Sequence, residues 1–261
     1  MIELRADSNP VKAIAAALFL ALLSSAWIFA SARLPPYMLP PPDRVLQAAG
    51  KFFTSQRQLG HLSATLFNVG ASIVVAFGLG CILALFAHYL KAAAPTIHGR
   101  LSPFLNAFPG VGWTLLAVIW FGVSTTSVIF SITVVLLPFA LVNLREGLAA
   151  LDREVDEMAR SFGRDGMRLF VAVVLPALAP FAAATLRIMF GVAWKVTLTA
   201  ELFGGSEGLG YLINIARQEY DTETIFTVVL TIVVAVYLAD RLLFAPMERA
   251  TARQFGPERQ R

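Results

Sequence analysis

The sequence predicts an all-α integral membrane protein with about six transmembrane helices. Three observations lead there. The chain is 57% hydrophobic and only 15% charged, against about a quarter charged in soluble domains. Its mean hydropathy is +0.69. Its apolar residues fall in runs long enough to cross a bilayer, which takes about 20 residues at about 1.5 Å rise each. A soluble domain of 261 residues would need a polar coat that this composition does not supply. The runs are long and continuous rather than short and alternating, which excludes a β-barrel.

The expected spans are 11–32, 62–88, 102–121, 126–145, 178–203 and 224–245. The first is long, and no cleavage site followed by a soluble domain is evident, so it reads as a retained helix rather than a signal peptide. After it, "RLPPYMLPPPDRVLQAAGKFF" starts as extended, proline-rich chain and ends as a short amphipathic helix. In the third span, Pro109 within "NAFPGVGW" removes a backbone donor and should kink or break the helix. Asn68 and Asn106 are expected to hydrogen-bond between helices. Gly70, Gly78, Gly80 and Gly191 should permit close helix approach. Trp113 and Trp120 read as packing or interface residues, and the single cysteine, Cys81, as a lipid-side or core residue.

Six spans place both termini on one side. Fourteen of the 21 Lys and Arg then lie on that side and five on the other, with Arg187 and Lys195 inside the fifth span. The positive-inside rule makes the basic side cytoplasmic, termini included. The net charge of +4 follows from this distribution and does not call for nucleic acid. The organisation expected is a first helix with its external connection (1–61), a core (62–250) containing a cytoplasmic loop at 146–177, and a basic tail (251–261).

That loop holds an island of charge. Leu151, Val155, Met158, Ala159 and Phe162 form one helical stripe, opposite Asp152, Arg153, Asp156, Glu157 and Arg160. Asp156 and Arg160 are an acid-then-base pair at i,i+4. Gly163 suits a helix end, and "RDG" turns the chain back toward the membrane. Two readings stand for such a helix: a solvated element resting on headgroups, or a docking element for a protein. Mixed charge favours docking, because lipid binding prefers a Lys/Arg-rich face.

These residues resemble a known family. Permeases of bacterial ABC importers carry a cytoplasmic pattern of Glu-Ala-Ala, three residues, Gly, nine residues, and Ile-x-Leu-Pro. Glu157, Met158, Ala159, Gly163, Val173, Leu175 and Pro176 stand at those intervals, with Met158 and Val173 as apolar replacements. "PFLNAFPGVGWTLLAVIWFG" and "LRIMFGVAWKVTLTAELFGGSEGLGYLI" are similar to the branch serving nitrate, sulfonate, taurine and bicarbonate. The resemblance implies a type I importer permease of the inner membrane. It would pair with a second copy, be driven by two cytoplasmic ATPases, and receive solute from an external binding protein. The island would be the coupling helix, with Asp156, Glu157, Met158, Ala159, Gly163, Leu175 and Pro176 engaging the ATPase. ATP and Mg would be held by that partner, and this chain would bind no cofactor.

The candidate pathway residues lie in the fifth span: Arg187, Trp194, Lys195, Thr199 and Glu201. Charges inside a span are costly and commonly face a cavity or a partner. Arg187 either snorkels and pairs near the inner interface or faces the path. Lys195 either faces a cavity, where it would suit an anionic solute, or forms an ion pair with an acid such as Glu201 of the other copy. Glu201 is either a gate contact or a structural anchor. No Gly-x4-Gly-Lys-Ser/Thr is present, so no P-loop binds ATP here. His61, His88 and His98 sit near span ends with no metal-binding spacing. An autonomous secondary transporter or channel is the alternative, but inverted repeats or a chain of intramembrane acids would be its signature. An intramembrane enzyme lacks its catalytic groups.

Gly163→Glu is expected to leave the protein in the membrane while uncoupling transport from ATP hydrolysis. Parallel uptake and ATPase assays check this, and wild-type uptake by the variant would contradict it.

Overall fold

A computed structural model describes residues 10–150 and 170–244. The segment expected to form the coupling helix, with Asp156, Glu157, Met158, Ala159 and Gly163, and the tail 251–261 lie outside the described residues. Helices account for nearly all of what is described.

The described side chains of helix α1 (Pro10–Ser31) are mostly exposed. The helix is fixed at one end by Trp27, whose Nε1 donates to Pro40 O at 3.1 Å and whose ring stacks on Phe226 at 5.9 Å. Helix α2 (Pro42–Thr54) is the amphipathic element expected from the sequence. Pro42 opens it, where the missing N–H has no intrahelical partner to lose, with Asp43 in its first turn and Lys51 in its last. Both charges complement the helix dipole. Val45 and Phe52 bury its inner stripe. Helix α3 (Gln56–Tyr89) has 34 residues, about 51 Å at 1.5 Å per residue, and begins earlier than the expected span.

The third expected span is not one helix. Helix α4 (Ala94–Ala107, with a π turn at Ile97–Leu101) and α5 (Gly110–Phe121) meet at 87°. Phe108 and Pro109 have extended backbone, with ψ of 131° and 143°. Proline forces the residue before it out of the helical region and cannot donate into the α4 ladder. Helix α6 (Thr125–Ala149) starts at an N-cap, Ser124, whose Oγ accepts from Ser127 N. Helix α7 (Phe170–Gly204) opens with a π turn at Phe170–Val174. Leu175 and Pro176, expected at the end of the cytoplasmic loop, therefore lie inside this helix, both exposed. Helix α8 (Leu209–Gln218) is short. Helix α9 (Thr222–Ala239) is capped by Asp221, which accepts from Thr224 N at 3.0 Å, and continues into a π turn at Asp240–Phe244.

Helix α6 is the centre of the bundle. Val128, Ile132, Leu136, Ala140, Leu144 and Leu148 recur every four residues and are buried, the spacing of one helical face. They pack between Val69, Ala76 and Ala84 of α3 and Met189, Ala193 and Ala200 of α7. Small side chains on α3 and α7 let these helices approach, and close van der Waals packing of this face holds the three helices together in the membrane. Gly80 is where α3 and α6 come closest, because a Cβ there would collide with the Ala140 Cβ. Gly70, Gly78 and Gly191 face open space instead. Asn106 is exposed and makes no hydrogen bond among the described residues. The expected roles of these four residues thus do not appear within this subunit. Trp113 is buried, with Nε1 donating to Leu105 O, whereas Trp120 is exposed.

Gly80→Leu should overpack the α3–α6 contact and cost about 1–3 kcal/mol. Gly78→Ala, two residues away on a face with open space, should cost nothing measurable. Thermal denaturation of the purified variants in detergent checks the contrast.

Candidate functional site

Glu201 lies three residues before the end of α7 and is fully buried, at 0% exposure. A buried carboxylate must find donors for its oxygens. Asn68 Nδ2 of α3 donates to Oε1 at 2.9 Å. Thr65 Oγ1 of α3 and the Gly210 backbone N–H of α8 each donate to Oε2 at 2.9 Å. The Thr65 hydroxyl also accepts from Leu209 N at 2.7 Å, which leaves its proton for Glu201. Leu209 and Gly210 are the first two residues of α8. Their N–H groups have no intrahelical partners, and Gly208 before them has no side chain to cap them. Side chains from α3 and α7 thus supply the cap, and the carboxylate sits where the helix dipole favours negative charge.

The turn between α7 and α8 is shaped by this carboxylate. Gly208 has φ of +108°, and a Cβ there would collide with the Glu201 carboxylate. Only glycine meets both conditions. Gly208 N in turn donates to His61 Nδ1 at 3.2 Å, so His61 carries its proton on Nε2 if neutral. Its ring lies against Tyr211 at 5.8 Å. The α5–α6 turn joins the same region, through Ser124 N donating to Gly204 O at 3.0 Å.

The other candidate pathway residues sit elsewhere on α7. Trp194 is buried at 3% exposure and meets Phe190 edge-on at 6.0 Å, and its Nε1 has no partner among the described residues. Arg187 Nη2 pairs with Asp240 Oδ1 at 3.2 Å, linking α7 to the end of α9. Lys195 is exposed, and no acid pairs with it among the described residues. Thr199, half-buried, donates to Lys195 O within the helix. Exposed residues Ala184, Ile188, Gly191 and Lys195 form one stripe, at the offsets 0, 4, 7 and 11 of a helical face. Glu201 faces the interior of its own subunit, not this stripe, so it has no surface to offer a lysine of another copy.

Thr65, Gly208 and Gly210 were not singled out in the sequence, and His61 was weighed only as a metal ligand. The glycine density of "FGGSEGLG" after Glu201 was the available signal, since it marks close backbone approach. No group of three metal-ligating side chains converges among the described residues. Through its hydrogen bonds the node joins α3, α7 and α8.

Glu201→Ala would strand the three donors in a buried site, and a cost of at least about 3 kcal/mol is expected from unsatisfied groups of about 1–3 kcal/mol each. A thermal melt of the variant in detergent checks this. Wild-type stability would show that the donors find other partners.

Comparison with known proteins agrees with the pattern at 157–176. Residues 76–245, more than half of the chain, match the family model described as binding-protein-dependent transport system inner membrane component. The taurine transport system permease protein of Escherichia coli is 29% identical over 243 residues, covering 88% of this chain and 86% of the relative. The formylaminopyrimidine transport permease protein of Halalkalibacterium halodurans is 27% identical over 223 residues, covering 82% and 86%. With the all-helical structure and its apolar spans, the match establishes the type I importer permease fold expected from the sequence. The chain belongs to the family of binding-protein-dependent inner membrane components, the permease subunits of ABC importers.

Proposed function

We propose that this permease forms the path for a small anionic solute, together with a second copy of itself. Two cytoplasmic ATPases drive it through the cytoplasmic loop at 146–177, and an external binding protein delivers the solute. Both termini face the cytoplasm.

The observation that carries the anionic assignment is Lys195. It is nine residues from the Gly204 end of α7, about 14 Å along the helix, and so well inside the span. An ammonium facing lipid near the middle of a membrane helix costs about 2.5–3.5 kcal/mol by insertion scales. The exposed stripe bearing Lys195 is therefore better accommodated against water or another protein surface than against lipid. Ala184 and Gly191 on the same stripe leave room for a second helix or a solute. In such a cavity the low dielectric strengthens the attraction between Lys195 and an anion. Arg187 lies nearer the cytoplasmic end of α7, where its pairing with Asp240 leaves the anionic assignment to Lys195. Thr199, one turn from Lys195 on the helix and half-buried, would shape the cavity wall, with Trp194 packed behind it inside the subunit. The relative named for taurine transport supports a sulfonate-type solute, whereas the one named for formylaminopyrimidine transport supports an uncharged heterocycle.

The test is uptake by the complete transporter in proteoliposomes with its binding protein, comparing taurine, nitrate and a neutral pyrimidine. An anion is expected to be taken up. Lys195→Met should reduce its uptake more than tenfold, and Lys195→Arg should retain most of it, with ATPase stimulation by the loaded binding protein preserved. Wild-type anion uptake by Lys195→Met would remove the lysine from the path.

A further inference from the structure

A cavity of about 290 Å³ lies between the first half of α4 and the last turns of α6, close to the lower limit of small-molecule sites, about 300 Å³. His98 and Ser102 line it from α4, one turn apart. Val142, Arg145, Glu146 and Ala149 line it from α6, at the offsets 0, 3, 4 and 7 of one helical face. Beside it, Ile97 of α4 is buried with Leu141 of α6 and Ala87 of α3, which fixes the two walls against each other.

The polar groups around this cavity lack partners. Ser102 is only 5% exposed, yet its hydroxyl makes no hydrogen bond among the described residues and keeps surface that a ligand can touch. A buried hydroxyl without a partner is costly. Arg145 and Glu146 are exposed and form no ion pair among the described residues. His98 is half-buried and near enough to Arg145 for the two to interact electrostatically. Arg145, His98 and Ser102 thus bring N–H and O–H donors to one space, which suits an oxyanion with several acceptor oxygens. Glu146 is an acceptor at the same space and calls for a donor on the same molecule. A bare inorganic anion would answer the first three groups and be repelled by the fourth.

The place of the cavity in the chain indicates the source of such a molecule. Arg145 closes the apolar run 126–145, and Ser102 opens the run 102–121. The cavity therefore lies at the edge of the bilayer, at the depth of lipid phosphates. Val142, one turn further into the membrane than Arg145 and Glu146, is 45% exposed and offers an apolar surface to an acyl chain. Basic pockets between membrane helices at such a boundary suit lipid headgroups.

We propose that this cavity binds the phosphodiester of a membrane phospholipid whose headgroup carries hydrogen-bond donors. Arg145, His98 and Ser102 hold the phosphate, and Glu146 receives the headgroup donor. The site is separate from the stripe bearing Lys195 and does not depend on which solute is carried.

The test uses the purified, delipidated permease–ATPase complex in detergent, with lipid binding followed by native mass spectrometry. The probes are phosphatidylethanolamine and phosphatidylglycerol, whose headgroups donate, and phosphatidylcholine, whose headgroup does not, all with the same acyl chains. The first two are expected to bind at least tenfold more tightly than the third. Arg145→Met should weaken both at least tenfold and Ser102→Ala at least threefold, whereas Glu146→Gln should erase most of the preference over phosphatidylcholine, each with wild-type melting temperature. Arg100→Met, an exposed basic residue of α4 outside the cavity, should change nothing. Equal binding of the three lipids, or equal losses from Arg100→Met and Arg145→Met, would overturn the proposal. So would chain-free glycerophosphoethanolamine binding as tightly as the lipid, which would make the ligand a soluble phosphodiester.

Discussion

The Glu201 carboxylate is the constraint on which the arrangement of this end of the subunit depends. It is wholly buried and is answered by donors from α3 and α8 at 2.9 Å each. Hydrogen bonds to charged groups contribute about 1.5–3 kcal/mol apiece, and leaving such a group unpaired costs more than forming the bond returns. The sequence between Gly204 and Gly210 follows from that requirement. The backbone must pass close enough for Gly210 N to reach Oε2, which leaves no volume for a side chain at Gly208. Thr65 is fixed twice, by donating to the carboxylate and accepting from Leu209 N.

This node also gives α7 a defined end. Helix α7 runs from Phe170 to Gly204 without interruption, about 52 Å by the helical rise. It begins just after the cytoplasmic segment expected to meet the ATPase and ends at the carboxylate. Lys195 lies six residues before Glu201 on this helix, so its register is set by the same anchor. Packing of α7 against α6 through Met189, Ala193 and Ala200 resists bending along the way. Under the proposed coupling, a helix held in this manner would move as a rigid body, the type of displacement by which packed helices transmit a domain's closure.

Much of the architecture was legible because membrane helices are written in long apolar runs. The amphipathic α2 was legible from its periodicity, and the break at Pro109 from the missing donor and the constraint on Phe108. Helix ends were less visible. Polar residues such as Gln56 and Arg57 can extend a helix beyond the bilayer, and α3 therefore starts before its apolar run. Glu201 was visible as a residue of interest, but its choice between gate and anchor depended on Thr65, Asn68 and Gly210, brought together from separate elements by tertiary packing. Exposed Asn106 and the open surroundings of Gly70, Gly78 and Gly191 show the converse: residue types common at helix contacts do not identify which contacts form.

Hydrogen exchange at the start of α8 tests the buried anchor most directly. First-turn amides of a short helix exchange quickly when only water receives them. With Thr65 and Glu201 as acceptors, the Leu209 and Gly210 amides should instead be protected to a degree comparable with mid-helix amides of α7 in the intact transporter. Exchange of these two amides at the rate of unstructured peptide amides would contradict the anchor.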